Sequence, residues 1–109
     1  MGKTRIASMD DLEKQGRLAV SVNGVEVMLV LVEEKVHAIN RYCPHAGQDL
    51  MEARLEGTSV VCSRHEGTFS LETGKFIDNG YVSPLLAKNI KDAMVHDISV
   101  EDGWIFIHN

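Results

Sequence analysis

Cysteine is scarce in this chain, whose 109 residues include only Cys43 and Cys62. Two cysteines can form one disulfide in a secreted protein, but the first residues lack the apolar core of a signal peptide. Because histidines follow both cysteines closely in the sequence, we interpret the cysteines as metal ligands rather than as a disulfide. The missing signal peptide also leads us to expect a cytoplasmic protein.

Basic runs and long apolar segments are lacking as well. The 11 Lys and Arg residues are outnumbered by 16 Asp and Glu, which gives a formal net charge of −5. Nucleic-acid binding is therefore disfavoured, because it needs clustered basic side chains. The most apolar stretch, Val25–Val32, is far shorter than the roughly 20 residues that cross a bilayer, so we expect no membrane partner. Neither repeats nor linkers divide the sequence, and we expect a single domain over residues 1–109.

Short strands are predicted along the first half of the chain. Arg17–Val22 alternates apolar and polar residues, and Asn23-Gly24 is a strong two-residue hairpin signal before Val25–Val32. Residues 35–39 follow as a third strand, which completes a meander. Ahead of these strands, Ser8 is predicted to cap a short helical turn that ends near Gly16.

The second half is also predicted to be rich in strands. Residues 58–62 read as one strand, and residues 96–100 pair with Trp104–His108 around a turn that contains Asp-Gly. For residues 84–93 the pattern allows either a helical turn or a loop. Frequent short strands with polar turns indicate an all-β sandwich or a barrel-like fold.

Two short motifs combine a thiol with an imidazole. Cys43 and His45 form one motif, Cys62 and His65 form the other, and sixteen residues separate His45 from Cys62. Thiolate and imidazole ligands suit either zinc or an iron–sulfur centre. In common zinc fingers the cysteines form one pair and the histidines another, whereas here each motif is mixed. A mixed pair on each of two loops fits a binuclear centre better, with both cysteines on one iron and both histidines on the other.

These motifs, C-x-H and C-x-x-H, resemble the signature of Rieske [2Fe–2S] proteins. The resemblance extends to Phe69, to Thr73-Gly74 and to the final hairpin. It implies a Rieske-type antiparallel β-sandwich with a small cluster-binding subdomain formed by two loops, at about residues 41–50 and 62–69. It also implies one [2Fe–2S] cluster per chain, held by the four residues of the two motifs.

Within that family, the chain resembles the free-standing ferredoxins of bacterial oxygenase systems. The resemblance implies a one-electron carrier that catalyses no reaction itself. It would accept electrons from a flavin-containing reductase and pass them to a ring-hydroxylating or related oxygenase, as a monomer that docks transiently with each. Two alternatives stay open, namely a small Rieske subunit of a nitrite reductase-type complex and a structural zinc-binding module.

The two loops also predict a low reduction potential. High-potential relatives place hydroxyl groups two and four residues after the second histidine, where this chain has Gly67 and Phe69. Neither side chain donates a hydrogen bond to a cluster sulfur. We therefore expect the lower part of the Rieske range, which runs from about −150 to +300 mV. His37, His96 and His108 lie outside both motifs, and we assign them no role.

Overall fold

The computed structural model describes residues 2–44, 47–62, 67–77 and 91–108. Within these ranges the chain forms ten strands, one α-helix and one short 3₁₀ helix. In chain order they are β1 Lys3–Ser8, α1 Met9–Gln15, β2 Arg17–Val22, β3 Val25–Val32, β4 Lys35–Asn40, the 3₁₀ helix Leu50–Glu52, β5 Arg54–Glu56, β6 Ser59–Val61, β7 Thr68–Ser70, β8 Phe76–Ile77, β9 Ile98–Glu101 and β10 Trp104–His108. No helix in the described ranges is long and apolar enough to cross a membrane.

The strands form three antiparallel sheets, with the orders β1-β10-β9, β2-β3-β4 and β5-β6-β7-β8. This arrangement confirms the all-β prediction, including the meander of β2, β3 and β4. Both predicted turns are present, the last one as Asp102-Gly103 because β9 extends through Glu101, and Asn23-Gly24 and Asp102-Gly103 have positive φ at each position. Positive φ at both central residues is what a type I′ hairpin turn requires, and asparagine, aspartate and glycine adopt it most readily.

The predicted start of the last hairpin was wrong by two residues. The strand begins at Ile98 rather than at His96 because the preceding residues bond elsewhere. The amide of His96 donates to the carbonyl oxygen of Ala38 at 2.9 Å, and Val95 forms an isolated bridge with Ile39. The prediction for residues 84–93 lies outside the described residues except at 91–93, which are not helical.

Helix α1 begins and ends where the sequence predicts. The Ser8 hydroxyl accepts a hydrogen bond from the amide of Asp11 at 3.1 Å, which satisfies one of the free amides of the first turn. At the other end Gly16 has a φ of +80° and donates to the carbonyl oxygen of Leu12 at 2.7 Å. This left-handed C-cap favours glycine, and it turns the chain directly into β2.

Strand β3 is buried on both of its faces. Successive side chains of a strand point to opposite faces, so Val27 and Leu29 enter one core while Met28 and Val30 enter another. This double burial explains why the strand reads as a continuous apolar run rather than as an alternation. The two cores together fix the position of the sheet β2-β3-β4, here called the central sheet.

The first core, here called the helix core, lies between the two three-stranded sheets and α1. Its fully buried members are Leu12, Val27, Leu29, Ala38 and Ile105. The second, here called the cysteine core, lies between the central sheet and the four-stranded sheet. Its buried members are Met28, Val30, Ile39, Cys43, Leu50, Ala53, Val60, Cys62, Phe69, Leu71 and Ala93.

Residues 92–96 form a connecting segment between the four-stranded sheet and β4. On one side the Asp92 carboxylate accepts from the amide of Phe76 at 3.0 Å, and the amide of Ala93 donates to the carbonyl oxygen of Gly74 at 2.7 Å. On the other side the amide of Asn40 donates to the carbonyl oxygen of Met94 at 2.9 Å. The segment thus links the sheet that carries Cys62 to the strand that leads to Cys43.

Candidate metal centre

The first predicted ligand loop leaves the end of β4 and closes on itself. Cys43 is buried, and its amide donates to the carbonyl oxygen of Gln48 at 2.8 Å. The amide of Gly47 donates a hydrogen bond to the carbonyl oxygen of Cys43, also at 2.8 Å, and Gly47 has a φ of +69°. Glycine adopts this left-handed conformation without steric cost. These bonds hold the backbone of Cys43 in a tight turn, while the neighbouring Pro44 is exposed.

The base of this loop is closed by an ion pair. The Arg41 guanidinium donates to both carboxylate oxygens of Asp49, at 3.0 Å from Nε to Oδ1 and 2.8 Å from Nη2 to Oδ2. This bidentate contact holds the pKa of the Asp49 carboxyl below its usual value, with a smaller contribution from the amide of Met51. The same pairing raises the pKa of Arg41, so both groups stay charged.

A second arginine anchors the 3₁₀ helix that follows the loop. Arg17, on β2, donates from Nη1 to the carbonyl oxygens of Leu50 at 2.9 Å and of Met51 at 3.0 Å. The Leu50 carbonyl oxygen also accepts from the amide of Ala53 at 3.1 Å, so Arg17 adds a side-chain donor to the backbone bond that closes this helix. The loop is therefore attached to the central sheet by side chains as well as by the backbone.

The second predicted ligand loop connects β6 to β7. Cys62 follows β6 directly and is buried, and its amide donates to the carbonyl oxygen of Gly67 at 2.7 Å. This bond draws the two ends of the loop together. Phe69, on β7, is fully buried in the cysteine core and packs edge-to-face against Phe76 with the ring centroids 5.9 Å apart.

Both cysteines belong to the same core, although nineteen positions separate them in the sequence. Within the described part of the chain they are not joined by a disulfide. Two buried thiols on separate loops are suitable donors for a soft metal centre, and the apolar surroundings limit access of water. The described residues therefore fit the cysteine half of the predicted ligand set.

The imidazole half of that set, His45 and His65, lies outside the described residues. Among the residues that the structure does describe, no three potential ligands converge on one point. The other histidines have contacts away from the motifs. His96 lies 2.7 Å from the Asn40 side-chain oxygen, and His108 lies 2.9 Å from the Ser99 hydroxyl. His37 is buried, and burial lowers its pKa.

The sequence did not reveal the supporting residues Arg17, Arg41 and Asp49. Arg41 and Asp49 are eight positions apart in the sequence, and the β-bridge between Tyr42 and Asp49 brings them together. The contacts of Arg17 span 33 and 34 positions and depend on how β2 packs against the loop. Their charge was the one available signal, and charge alone does not distinguish a supporting residue from a solvated one.

Comparison with known proteins identifies the class. The family model for the Rieske [2Fe-2S] domain matches residues 2–92, so the chain belongs to this family. The ferredoxin component of the naphthalene 1,2-dioxygenase/salicylate 5-hydroxylase systems of Ralstonia sp. is 30% identical over 101 residues, which cover 93% of this chain and 89% of that protein. Sulredoxin of Sulfurisphaera tokodaii is also 30% identical over 101 residues, with 93% of each chain covered.

The fold of a solved ferredoxin is similar over nearly the whole chain. The ferredoxin of carbazole 1,9a-dioxygenase from Nocardioides aromaticivorans has a TM-score of 0.78 at 26% identity, with 98% of this chain and 97% of that chain covered. The predicted Rieske-type sandwich is thereby confirmed. The cofactor of this family is a Rieske-type [2Fe–2S] cluster, and the two buried thiols fit it.

Proposed function

We propose that this protein is the ferredoxin component of an oxygenase system, a one-electron carrier without a catalytic site of its own. One observation carries the proposal. A ferredoxin component of this kind matches 93% of the chain over 89% of its own length, so the likeness extends over one whole carrier domain. The proposed domain spans residues 1–109, with cluster-binding loops at about 41–50 and 62–69.

The proposed ligands are Cys43, His45, Cys62 and His65. The bound cluster supplies one reversible electron at a time. The cysteines would hold the inner iron, in keeping with the burial of both thiols, and the histidines would hold the outer iron. Backbone bonds at Cys43 and Cys62 orient the loops, and the cysteine core excludes water from the thiols.

The proposed partners are a flavin-containing reductase and a terminal oxygenase, which the monomeric carrier meets in turn. Apolar side chains are exposed beside the Cys43 loop. Tyr42 is 45% exposed and Met94 62% exposed, and the amide of Asn40 joins the backbone of Met94 to the strand that leads to Tyr42. Such a surface suits the small, transient interfaces of redox encounters. The proposed compartment is the cytoplasm, where cysteine thiols stay reduced.

The decisive test combines a redox titration with transfer to a partner. The purified protein should take up one electron per chain, and the reduced protein should be oxidised by a naphthalene dioxygenase of the kind served by its Ralstonia relative. Cys62→Ser should abolish both results, whereas His108→Ala should leave both intact because His108 contacts Ser99 away from the loops. A wild-type protein that takes up no electron would contradict the proposal. Stable co-purification with a large catalytic subunit would instead favour the nitrite reductase-type alternative.

A further inference from the structure

The loop that carries Cys43 is joined to the rest of the protein by a narrow stem. We define the stem as residues 41–42 on one side and 49–50 on the other. Its backbone contacts are the bridge between Tyr42 and Asp49 and the bond from the amide of Leu50 to the carbonyl oxygen of Arg41 at 2.8 Å. The position of Cys43 therefore depends on how firmly these few residues stay together, as well as on its packing in the cysteine core.

The stem is spanned by the bidentate ion pair of Arg41 with Asp49. The same guanidinium reaches Glu26 on β3, with 3.5 Å between Nη1 and Oε1, and lies over the Tyr42 ring at 5.3 Å. Asp49 in turn accepts from the amide of Met51 at 2.9 Å and so caps the 3₁₀ helix. One ion pair thus connects β3, the stem and the helix that follows it.

This ion pair differs from a typical surface pair in its partial burial. The side chains of Arg41 and Asp49 are 26% and 37% exposed, whereas those of the Arg54–Glu56 pair are each 58% exposed. Partial removal from water strengthens a charge-assisted contact, and bidentate geometry adds orientation that a single contact lacks. Exposed pairs, by contrast, commonly contribute little. The Arg54–Glu56 pair therefore serves as a matched control within the same chain.

We propose that Arg41 and Asp49 are positioning residues that hold the stem closed and thereby fix the Cys43 loop for the [2Fe–2S] cluster. The proposal rests on the ligand set given under the proposed function. Neither residue needs to touch the cluster. Their effect reaches it through the backbone from the stem to Cys43, whose amide is bonded to the carbonyl oxygen of Gln48.

Two single variants distinguish a positioning role from a direct effect of the two charges on the reduction potential. Asp49→Asn keeps a side-chain acceptor for the amide of Met51 but removes the carboxylate, and Arg41→Gln removes the cation. If the pair acted through charge alone, the two variants would shift the reduction potential in opposite directions and leave cluster retention unchanged. Positioning predicts that both variants lose iron to a chelator about tenfold faster, as expected for loss of one charge-assisted hydrogen bond.

The double variant Arg41→Gln/Asp49→Asn provides the second criterion. Once Arg41 is replaced, removal of the Asp49 carboxylate costs little more, so the rate of iron loss of the double variant should match that of Arg41→Gln. Glu56→Gln should lose iron at the wild-type rate. Equal rates in Asp49→Asn and Glu56→Gln would overturn the proposal.

A third measurement does not depend on the ligand assignment. Hydrogen–deuterium exchange of the purified protein, followed by mass spectrometry, should show about tenfold faster exchange in peptides covering residues 41–50 of Asp49→Asn. Peptides covering β6 and β7 should be unchanged. Unchanged exchange at residues 41–50 would refute the positioning role whether or not a cluster is bound. A wild-type protein without a cluster would refute the ligand set instead, so the two failures are distinguishable.

Discussion

Gly74 lies where the connecting segment of residues 92–96 packs against the turn between β7 and β8. A Cβ atom at this position would lie 2.0 Å from the carbonyl oxygen of Ala93 and 2.9 Å from its carbonyl carbon. Both neighbours are backbone atoms, so no side-chain rotation relieves the overlap. Gly74→Ala must therefore displace the segment by more than an ångström and break the bond from the amide of Ala93 to the carbonyl oxygen of Gly74.

Three contributions add up to the loss of stability expected for Gly74→Ala. Gly74 has a φ of +79°, and a left-handed conformation costs a non-glycine residue about 1–2 kcal/mol. The broken backbone hydrogen bond contributes about 1 kcal/mol, and overpacking contributes about 1–3 kcal/mol. We expect Gly74→Ala to lower the free energy of unfolding by about 3–6 kcal/mol, and the melting temperature by about 15 °C or more.

Gly103 provides a matched control for this experiment. Its φ is +82°, and a Cβ atom there would have no neighbour within 4 Å. Gly103→Ala should therefore cost only the conformational part, about 1–2 kcal/mol. Thermal unfolding followed by circular dichroism measures both variants. Equal destabilisation of the two variants would refute the close backbone approach at Gly74.

Three further predictions concern the reduction potential, the pH dependence of stability and the contact with the oxygenase. Phe69→Tyr should raise the reduction potential by about 40–60 mV, because a hydrogen bond to the more negative reduced cluster is stronger than one to the oxidised cluster by about 1–1.5 kcal/mol, and 1.4 kcal/mol is about 59 mV for one electron. Voltammetry checks this, and Phe76→Tyr, on the partly exposed neighbouring ring, should shift the potential less. Burial lowers the pKa of His37, so the unfolded chain binds a proton first as the pH falls below about 6.5. Stability should therefore decrease from about pH 6.5 down to the folded-state pKa, and urea titrations of His37→Gln should show a flatter profile in that window. Met94→Ala should slow electron transfer to the oxygenase in stopped-flow experiments while the potential stays unchanged, and transfer at the wild-type rate would place the docking surface elsewhere.

Local signals in the sequence were sufficient for much of the fold. The Asn23-Gly24 and Asp102-Gly103 turns and the Ser8 cap depend on neighbouring residues, so they were predicted correctly. Strand β1 was missed because none of its residues is fully buried, and it pairs with β10 at the other end of the chain. Strands β7 and β8 have only three and two residues, too few for a periodic pattern.

In the candidate site, too, features that depend on neighbouring residues were predicted, whereas contacts between distant segments were not. The resemblance carried by the two motifs implied the cofactor, which family membership confirms. The close approach of residues 92–96 to Gly74, and the contacts of Arg17 and Arg41 with the loop, depend on packing between distant segments. Such packing cannot be predicted from the spacing of residues in a single sequence. The positions of the ligand histidines therefore remain a prediction from the motifs.

This protein is expected to carry one electron on a Rieske [2Fe–2S] cluster. The most direct test of this expectation is the absorption and EPR spectrum of the purified protein, with iron, sulfide and zinc counted. We expect a coloured protein with the two irons and two sulfides of one cluster per chain, and an EPR signal after one-electron reduction. A colourless protein that contains one zinc ion would contradict it.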